Sequence, residues 1–274
     1  MSQHDLLEDE GAGYLISISD MMSGLLFIFI ITLVAFIINF QDAIQKQKQI
    51  NIHAQEAIQK QKEITKTQVE IVKRFAKTDK TRSDLLQILK NKLVNENISV
   101  EIDVEHGVLR LTENAVQFQT ASASLDEKNQ YNLKIIGSVL NAVIPCYANN
   151  PPTHHDCEGF EEFLGKIDSI FVEGHTDNVP MKSYKYKDNW DLSASRAITA
   201  YRVLIPNTVL NQIVNTNSQP IFSVSGYGEG RPVKGHSYSY PKSDPTNRRI
   251  DLRFIMTPPS LTDVQKNINA EGVN

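Results

Sequence analysis

IDSIFVEGHTDN (167–178) decides the fold: an apolar run rich in β-branched residues, ending at a glycine and spilling into a polar loop. Such a run, bounded by turn formers, reads as a buried strand over Ile167–Gly174 whose C-terminal end presents His175, Thr176 and Asp177. Outward from it, an amphipathic helix is expected over Leu192–Leu204. IFSVSGYGEG (221–230) is a second strand running into a glycine turn. NRRIDLRFIM (247–256) is a closing strand with Ile250, Leu252 and Phe254 on one face. On the N-terminal side, Leu125–Val143 carries Leu133, Ile136, Val139, Leu140 and Val143 at helical spacing, and Pro145 closes it. ISVEIDVEHGVLRLTEN (98–114) reads as two strands turning at His106-Gly107. Strands alternating with helices give an α+β domain, one sheet packed on two main helices.

Upstream the pattern changes. TDKTRSD (78–84) is expected to interrupt the chain, with Ser83 or Asp84 capping a short helix LLQILKNKLV (85–94). Residues 41–76 hold a near-repeat, AIQKQKQI at 43–50 returning as AIQKQKEI at 57–64. Two heptads separate the copies, so Ala43, Ile50, Ala57, Ile64 and Ile71 form one stripe with Ile44, Ile58 and Val72 beside it. This suits a helical stalk pairing with a second copy of the chain. Gln47, Gln61 and Gln68 occupy places where a strong zipper has Leu, which leaves a solvated, weakly associating stalk as the alternative.

Still earlier, MMSGLLFIFIITLVAFII (21–38) has no charged residue, and Asp20 is the sole acid between Tyr14 and Phe40. A membrane-spanning helix needs about 20 such residues. A carboxylate near the hydrocarbon costs about 2.5–3.5 kcal/mol, so an acid there is a candidate ion or proton carrier. The alternative is that Ser19 or Asp20 caps a helix starting at Met21. The apolar run is too long, and its flank too acidic, for a cleavable signal peptide. The expected division is therefore 1–13 cytoplasmic tail, 14–40 transmembrane helix, 41–95 helical stalk, 96–257 folded domain and 258–274 flexible tail.

With 274 residues, 41% hydrophobic and a net charge of −4, the chain accommodates one span plus an ordinary soluble domain. The acidic tail before the span and Lys46 and Lys48 after it place the large domain in the cytoplasm by the positive-inside rule. Cys146 and Cys157, close together in a Pro/Asn/His-rich loop, argue instead for a disulfide and an oxidising compartment. We side with the periplasm. No Ser/His/Asp elbow, phosphate loop or carboxylate pair points to an enzyme, and nothing points to nucleic acid. Adjacent His154, His155, Asp156 and Cys157 rarely converge on one ion, so no metal is expected.

Four motifs in order carry a resemblance. Gly174-His175-Thr176-Asp177, Asn189 through Ala197 (NWDLSASRA), Gly226-Tyr227-Gly228-Glu229 and Asn247-Arg248-Arg249 resemble the OmpA-like peptidoglycan-binding domain, as does the entry stretch FQTASASLDEKN (118–129). Together they cover roughly residues 98–256. The resemblance implies a mixed β-sheet packed on helices, and a pocket for the zwitterionic end of diaminopimelate. Asp177 would take the ammonium and Arg196 the carboxylate, framed by Thr176, Asn189, Leu192 and Ser193, with Arg248 lining it. The residues alone leave an Asp177–Arg196 salt bridge and a Ser193 helix cap open. Ala200 departs from the family's customary Val, and the Cys146–Cys157 insertion is additional.

The segment ISISDMMSGLLFIF resembles the transmembrane helix of MotB-type stator subunits, and is closer in wording to the ZorB subunits of Zorya anti-phage systems than to flagellar forms. That resemblance implies Asp20 as the ion-accepting carboxylate, with Ser23 one turn on, translocating H⁺ or Na⁺ with no other cofactor. It also implies two copies of the chain inside a multi-span partner similar to MotA or ZorA. The setting would be the bacterial inner membrane, with the N-terminus cytoplasmic.

Overall fold

Helix α1 runs over Gln3–Asn95 without a break, because no Gly or Pro occurs between Gly24 and Asn95 to stop it. The computed structural model describes residues 3–152, 157–160, 163 and 166–259, with side chains from Ile18 onward. These gather into two compact units, residues 1–68 and 69–274.

In the first unit the helix is apolar on every side from Met21 to Phe40, and none of the other described residues covers it. Leu25 is 72% exposed and Phe27 64%. A helix hydrophobic all round and not buried in protein is suited to lipid. Met21–Ile38 extends about 27 Å at 1.5 Å per residue, close to the bilayer's apolar thickness. The helix is long and apolar enough to cross a membrane. Beyond it Ile44, Ile50, Ile58 and Ile64 of the heptad stripe are likewise exposed.

The expected interruption at TDKTRSD is absent, since polar residues alone do not end a helix. Thr81 Oγ1 donates back to Lys77 O at 3.0 Å, and Arg82 pairs with Asp79 at 3.2 Å. Neither Ser83 nor Asp84 is a cap. The last turns of α1 also belong to the folded domain and not to a stalk: Leu85, Leu86, Leu89 and Leu93 are fully buried in its core.

The second unit continues with strands β1 (Val100–Asp103) and β2 (Val108–Leu111), helix α2 (Glu127–Val143), strand β3 (Ile167–Gly174), helix α3 (Asn189–Leu204), and strands β4 (Phe222–Gly226) and β5 (Ile250–Met256). The sheet order is β1-β2-β5-β3-β4. Only β3 and β4 run parallel; the other pairs are antiparallel, so the sheet is mixed, as the α+β expectation required. Register puts Leu109 opposite Leu252 and Val172 opposite Leu252, so one face of the sheet is a row of aliphatic side chains. Leu133, Ile136 and Leu140 of α2 and Ala197, Ala200 and Leu204 of α3 pack in the same core. Ala200 is fully buried, so the departure from Val is a packing change.

Asp126 caps α2 by accepting from Asn129 N at 2.8 Å. After Val143 the chain turns through Ile144–Tyr147, which contains Pro145. Cys146 is bonded to Cys157, eleven positions on. A ring of that size is worth about 3 kcal/mol on the chain-entropy account. His154, His155 and Asp156, and the tail from residue 260, lie outside the described residues.

Candidate functional site

Asp20 sits within α1, whose first residue is Gln3. Neither it nor Ser19 is therefore an N-cap, and the carboxylate is left exposed beside the apolar surface of Met21 and Met22. Ser23 Oγ donates to Ser19 O at 2.7 Å, which ties that hydroxyl to its own helix one turn back.

In the C-terminal unit, β3, an interior strand, ends at Gly174 and delivers His175, Thr176 and Asp177 beyond its C-terminal end. Helix α3 then begins under them. Asp188 is its cap, accepting from Trp190 N at 2.9 Å and Asp191 N at 3.0 Å, which sets aside Ser193 as a cap and moves the helix start to Asn189. Helix and strand approach closely because Gly174 and Gly226 carry no side chain. A Cβ on Gly226 would lie 2.6 Å from Ala194 N.

Asp177, Asn189 and Arg248 are brought together. Arg248 Nη1 donates to Asp177 Oδ2 at 2.8 Å and to Ser243 Oγ at 2.9 Å. Asn189 Nδ2 donates to the carbonyls of Asp177 at 3.4 Å and Val179 at 3.1 Å. Thr176 N donates to Gly228 O, and Ser193 Oγ accepts from Gly228 N at 2.9 Å. Leu192 packs with Ala123 and Tyr186 in a small separate apolar cluster. Arg196 is placed differently from either expectation. It is fully buried and donates to three backbone carbonyls, Ser122 at 2.9 Å, His175 at 3.2 Å and Gln119 at 3.0 Å. The Asp177–Arg196 salt bridge is not formed; Asp177 pairs with Arg248. Burial pushes the Arg196 guanidinium down to about 10, with the charge of Asp177 acting in the opposite sense, so it stays protonated at neutral pH.

Three buried polar atoms around Asp177 have no partner: Thr176 Oγ1, Asn189 Oδ1 and Arg248 Nε. Buried donors and acceptors are nearly always satisfied, so a donor, an acceptor and a hydroxyl without a hydrogen bond among the described residues are unusual. The sequence reading missed the loop that closes over it. Asp244 N donates to Asp177 Oδ2 at 3.3 Å, and Asn178 Nδ2 holds the carbonyls of Tyr238 and Tyr240 at 2.9 and 2.8 Å.

A second missed network lies beside it. Arg110 and Arg249 both donate to Asp251, and Arg253 grips Glu173 at 2.7 and 2.9 Å. Period-two alternation along NRRIDLRFIM would have revealed this charged face opposite Ile250, Leu252 and Phe254. Glu173, His175 and Asp251 offer three atoms within 4.8 Å of one another, a spacing a metal can use. Both carboxylates, however, are already spent on guanidinium groups.

His175 is buried, and burial, then the charges of Arg249, Arg110, Arg231 and Arg253, push its imidazole down to about 2. Asp251 lies 3.5 Å away, but its charge is shared by two guanidiniums and does not rescue the imidazolium. The unfolded chain takes up this proton below about pH 6.5 and the folded chain does not. Stability contributed by neutral His175 is therefore intact above about pH 6.5 and falls as pH drops, by at most about 1.4 kcal/mol per pH unit. Urea unfolding between about pH 6.5 and 5 should show this slope, and His175→Asn should flatten it. Burial acts to raise the carboxyls of Asp103 and Asp244, but hydrogen bonds from His106 and from His236 respectively outweigh it and hold them below the ordinary carboxylate value, so they act only at lower pH.

Residues 159–244 match the OmpA family. Motility protein B of Bacillus subtilis is 26% identical over 174 residues, covering 64% of this chain and 54% of that protein. The uncharacterized protein YtxE of the same organism is 28% identical over 150 residues, covering 54% and 48%. The chain thus spans about half the length of the curated relatives it matches. The crystal structure of the periplasmic domain of Helicobacter pylori MotB aligns at a TM-score of 0.38 and 20% identity, over 60% of this chain and 85% of that one. The chain is thus similar to motility protein B, and its C-terminal unit contains a stretch that matches the OmpA family.

Proposed function

We propose that this chain is the wall-anchored subunit of a stator-type, ion-driven motor in a bacterial inner membrane. The observation that carries the reading is Asp20, an acid inside a continuous helix and beside an uncovered apolar surface, with no capping duty to explain it. A lone helix offers no hydrated route, so a multi-span partner similar to MotA or ZorA would supply the polar groups facing Asp20. H⁺ or Na⁺ would neutralise the carboxylate on entry and leave inward. The exposed stripe of Ile44, Ile50, Ile58 and Ile64 supports pairing of two copies. The Cys146–Cys157 bond supports a periplasmic domain and hence a cytoplasmic N-terminus. Co-expressed with the partner, the chain should carry an H⁺ or Na⁺ current; a complex that carries neither overturns the motor.

The domain's ligand in this reading is peptidoglycan, held at Asp177 and Arg248 with Thr176 and Asn189. Arg196 acts from behind by fixing the loop at Gln119 and Ser122. Thr176→Val removes a hydroxyl that has no partner in the chain, so the fold should persist. Sacculus pull-down should weaken by roughly three- to tenfold, the worth of one hydrogen bond. Unchanged binding would mean the pocket is misplaced.

The wording ISISDMMSGLLFIF supports service in anti-phage defence of the Zorya type, with envelope damage sensed at the wall and signalled through the partner. The identity with motility protein B favours a second reading, a flagellar stator. Neighbouring genes separate them: a helicase or nuclease beside the partner gene fits defence, and chemotaxis genes fit motility.

A further inference from the structure

Beside the Asp177 cluster, and separate from it, a cleft of about 570 Å³ opens on the charged side of the sheet. Arg110, His175, Tyr227, Arg231, Arg249 and Arg253 are among its lining residues. The consecutive arginines of β5's entry part here: Arg248 turns to Asp177, whereas Arg249 turns to Asp251. Most of the cleft's charge is internally committed. Arg110 spends Nε and Nη2 on Asp251, and Arg253 spends Nε and Nη2 on Glu173 and Nη1 on His106 O.

What remains open is specific. Arg249 is 4% exposed and His175 1%, yet among the described residues Arg249 Nη1 and both ring nitrogens of His175 make no hydrogen bond, with Asp251 Oδ2 lying 3.5 Å from Nε2. His175 is held flat on Tyr227, ring centroids 5.5 Å apart and 18° from parallel. Arg231 lies over the same Tyr227 ring at 3.8 Å. Tyr227 is fixed in turn by its hydroxyl donating to Glu173 Oε1 at 3.2 Å. Leaving a buried guanidinium nitrogen and an imidazole unsatisfied costs about 1–3 kcal/mol per group, and a preorganised site for an anion accounts for keeping them.

We propose that this cleft is a second binding site, specific for a phosphate-class oxyanion and built from Arg249, His175 and Arg231. A cation is disfavoured because the lining carboxylates are already engaged: Asp251 and Glu173 accept from guanidinium groups, and Asp103 accepts from His106. A planar carboxylate is the poorer fit, since it is best gripped by the paired nitrogens of one fork. Arg249 has its Nε on Asp251 and Nη2 on Arg231 O, so the nitrogen it leaves open is Nη1 alone. Single donors from separate side chains suit the several oxygens of a tetrahedral group. The phosphate is either free or carried as a monoester.

Calorimetry on the full chain in detergent micelles tests this with inorganic phosphate, glycerol phosphate, acetate and Zn²⁺ as separate titrants. Phosphate should bind at millimolar concentration or below and acetate should not. Arg231→Ala, whose side chain is at the surface and holds no carboxylate, should keep the fold and weaken phosphate about tenfold. His175→Asn should weaken it as well, whereas Thr176→Val should leave the isotherm unchanged. Glycerol phosphate binding within a few-fold of phosphate marks an esterified source, and phosphate binding alone marks the free ion. The proposal is overturned by no phosphate signal, by acetate binding equally well, by an unaltered Arg231→Ala isotherm, or by Zn²⁺ binding in place of phosphate.

Discussion

Asp20→Asn is expected to abolish ion-driven activity completely while leaving sacculus binding and disulfide formation at wild-type levels. The substitution is nearly isosteric, so the helix is undisturbed. The amide, however, neither takes up a proton nor offers a charge to a sodium ion. Insertion should if anything become easier, because a carboxylate near the hydrocarbon costs about 2.5–3.5 kcal/mol and an amide costs less. The driving force lost is about 2.3 kcal/mol per charge for each 100 mV of membrane potential. Current through the co-expressed complex and the biological readout, protection from phage or motility, should both fall to background. If Asp20→Asn keeps full biological activity, the chain is a passive wall tether with an acid that does nothing in transport.

Gly174→Ala is expected to be the most damaging single methyl in the C-terminal unit. A Cβ there would fall on Ser193 O and lie 2.9 Å from Ser193 C and 3.2 Å from Ala197 N. All three are backbone atoms of α3, which cannot rotate aside as a side chain would. The helix would have to lift from β3, and with it Asn189 from Asp177 and Arg196 from the His175 carbonyl. Overpacking of this kind costs about 3 kcal/mol or more, a large share of a domain's margin. Urea unfolding of the variant should show the loss directly, and sacculus binding should fail with it. A variant as stable as wild type would mean that helix and strand do not meet as described.

Much of the sheet was legible because its chemistry is periodic and local. IDSIFVEG and NRRIDLRFIM declare strands by β-branched content and alternation, and the strand ends follow from Gly174 and from the turn before Ile250. The failures share a cause. TDKTRSD looks like a loop by composition, but without Gly or Pro its polar side chains bond within the helix, as Thr81 and Arg82 do. The resemblance implies that Asp177, Arg196 and Arg248 share a pocket, yet not which Arg reaches Asp177. Only the packing of α3 sends Arg196 to three carbonyls and leaves Arg248 as the partner. The charged face of β5 is legible in the alternation of Arg249, Asp251 and Arg253, the polar half of the same period that puts Ile250, Leu252 and Phe254 inside.

The placement of β5 has a consequence for synthesis. It follows every other described strand in the chain, yet it sits in the middle, joining β1-β2 on one side to β3-β4 on the other. Until Ile250–Met256 has been made, the two halves of the sheet share no hydrogen-bonded edge, and each exposes an open ladder. A nascent chain must therefore keep its earlier strands from associating with strangers until its final strand arrives.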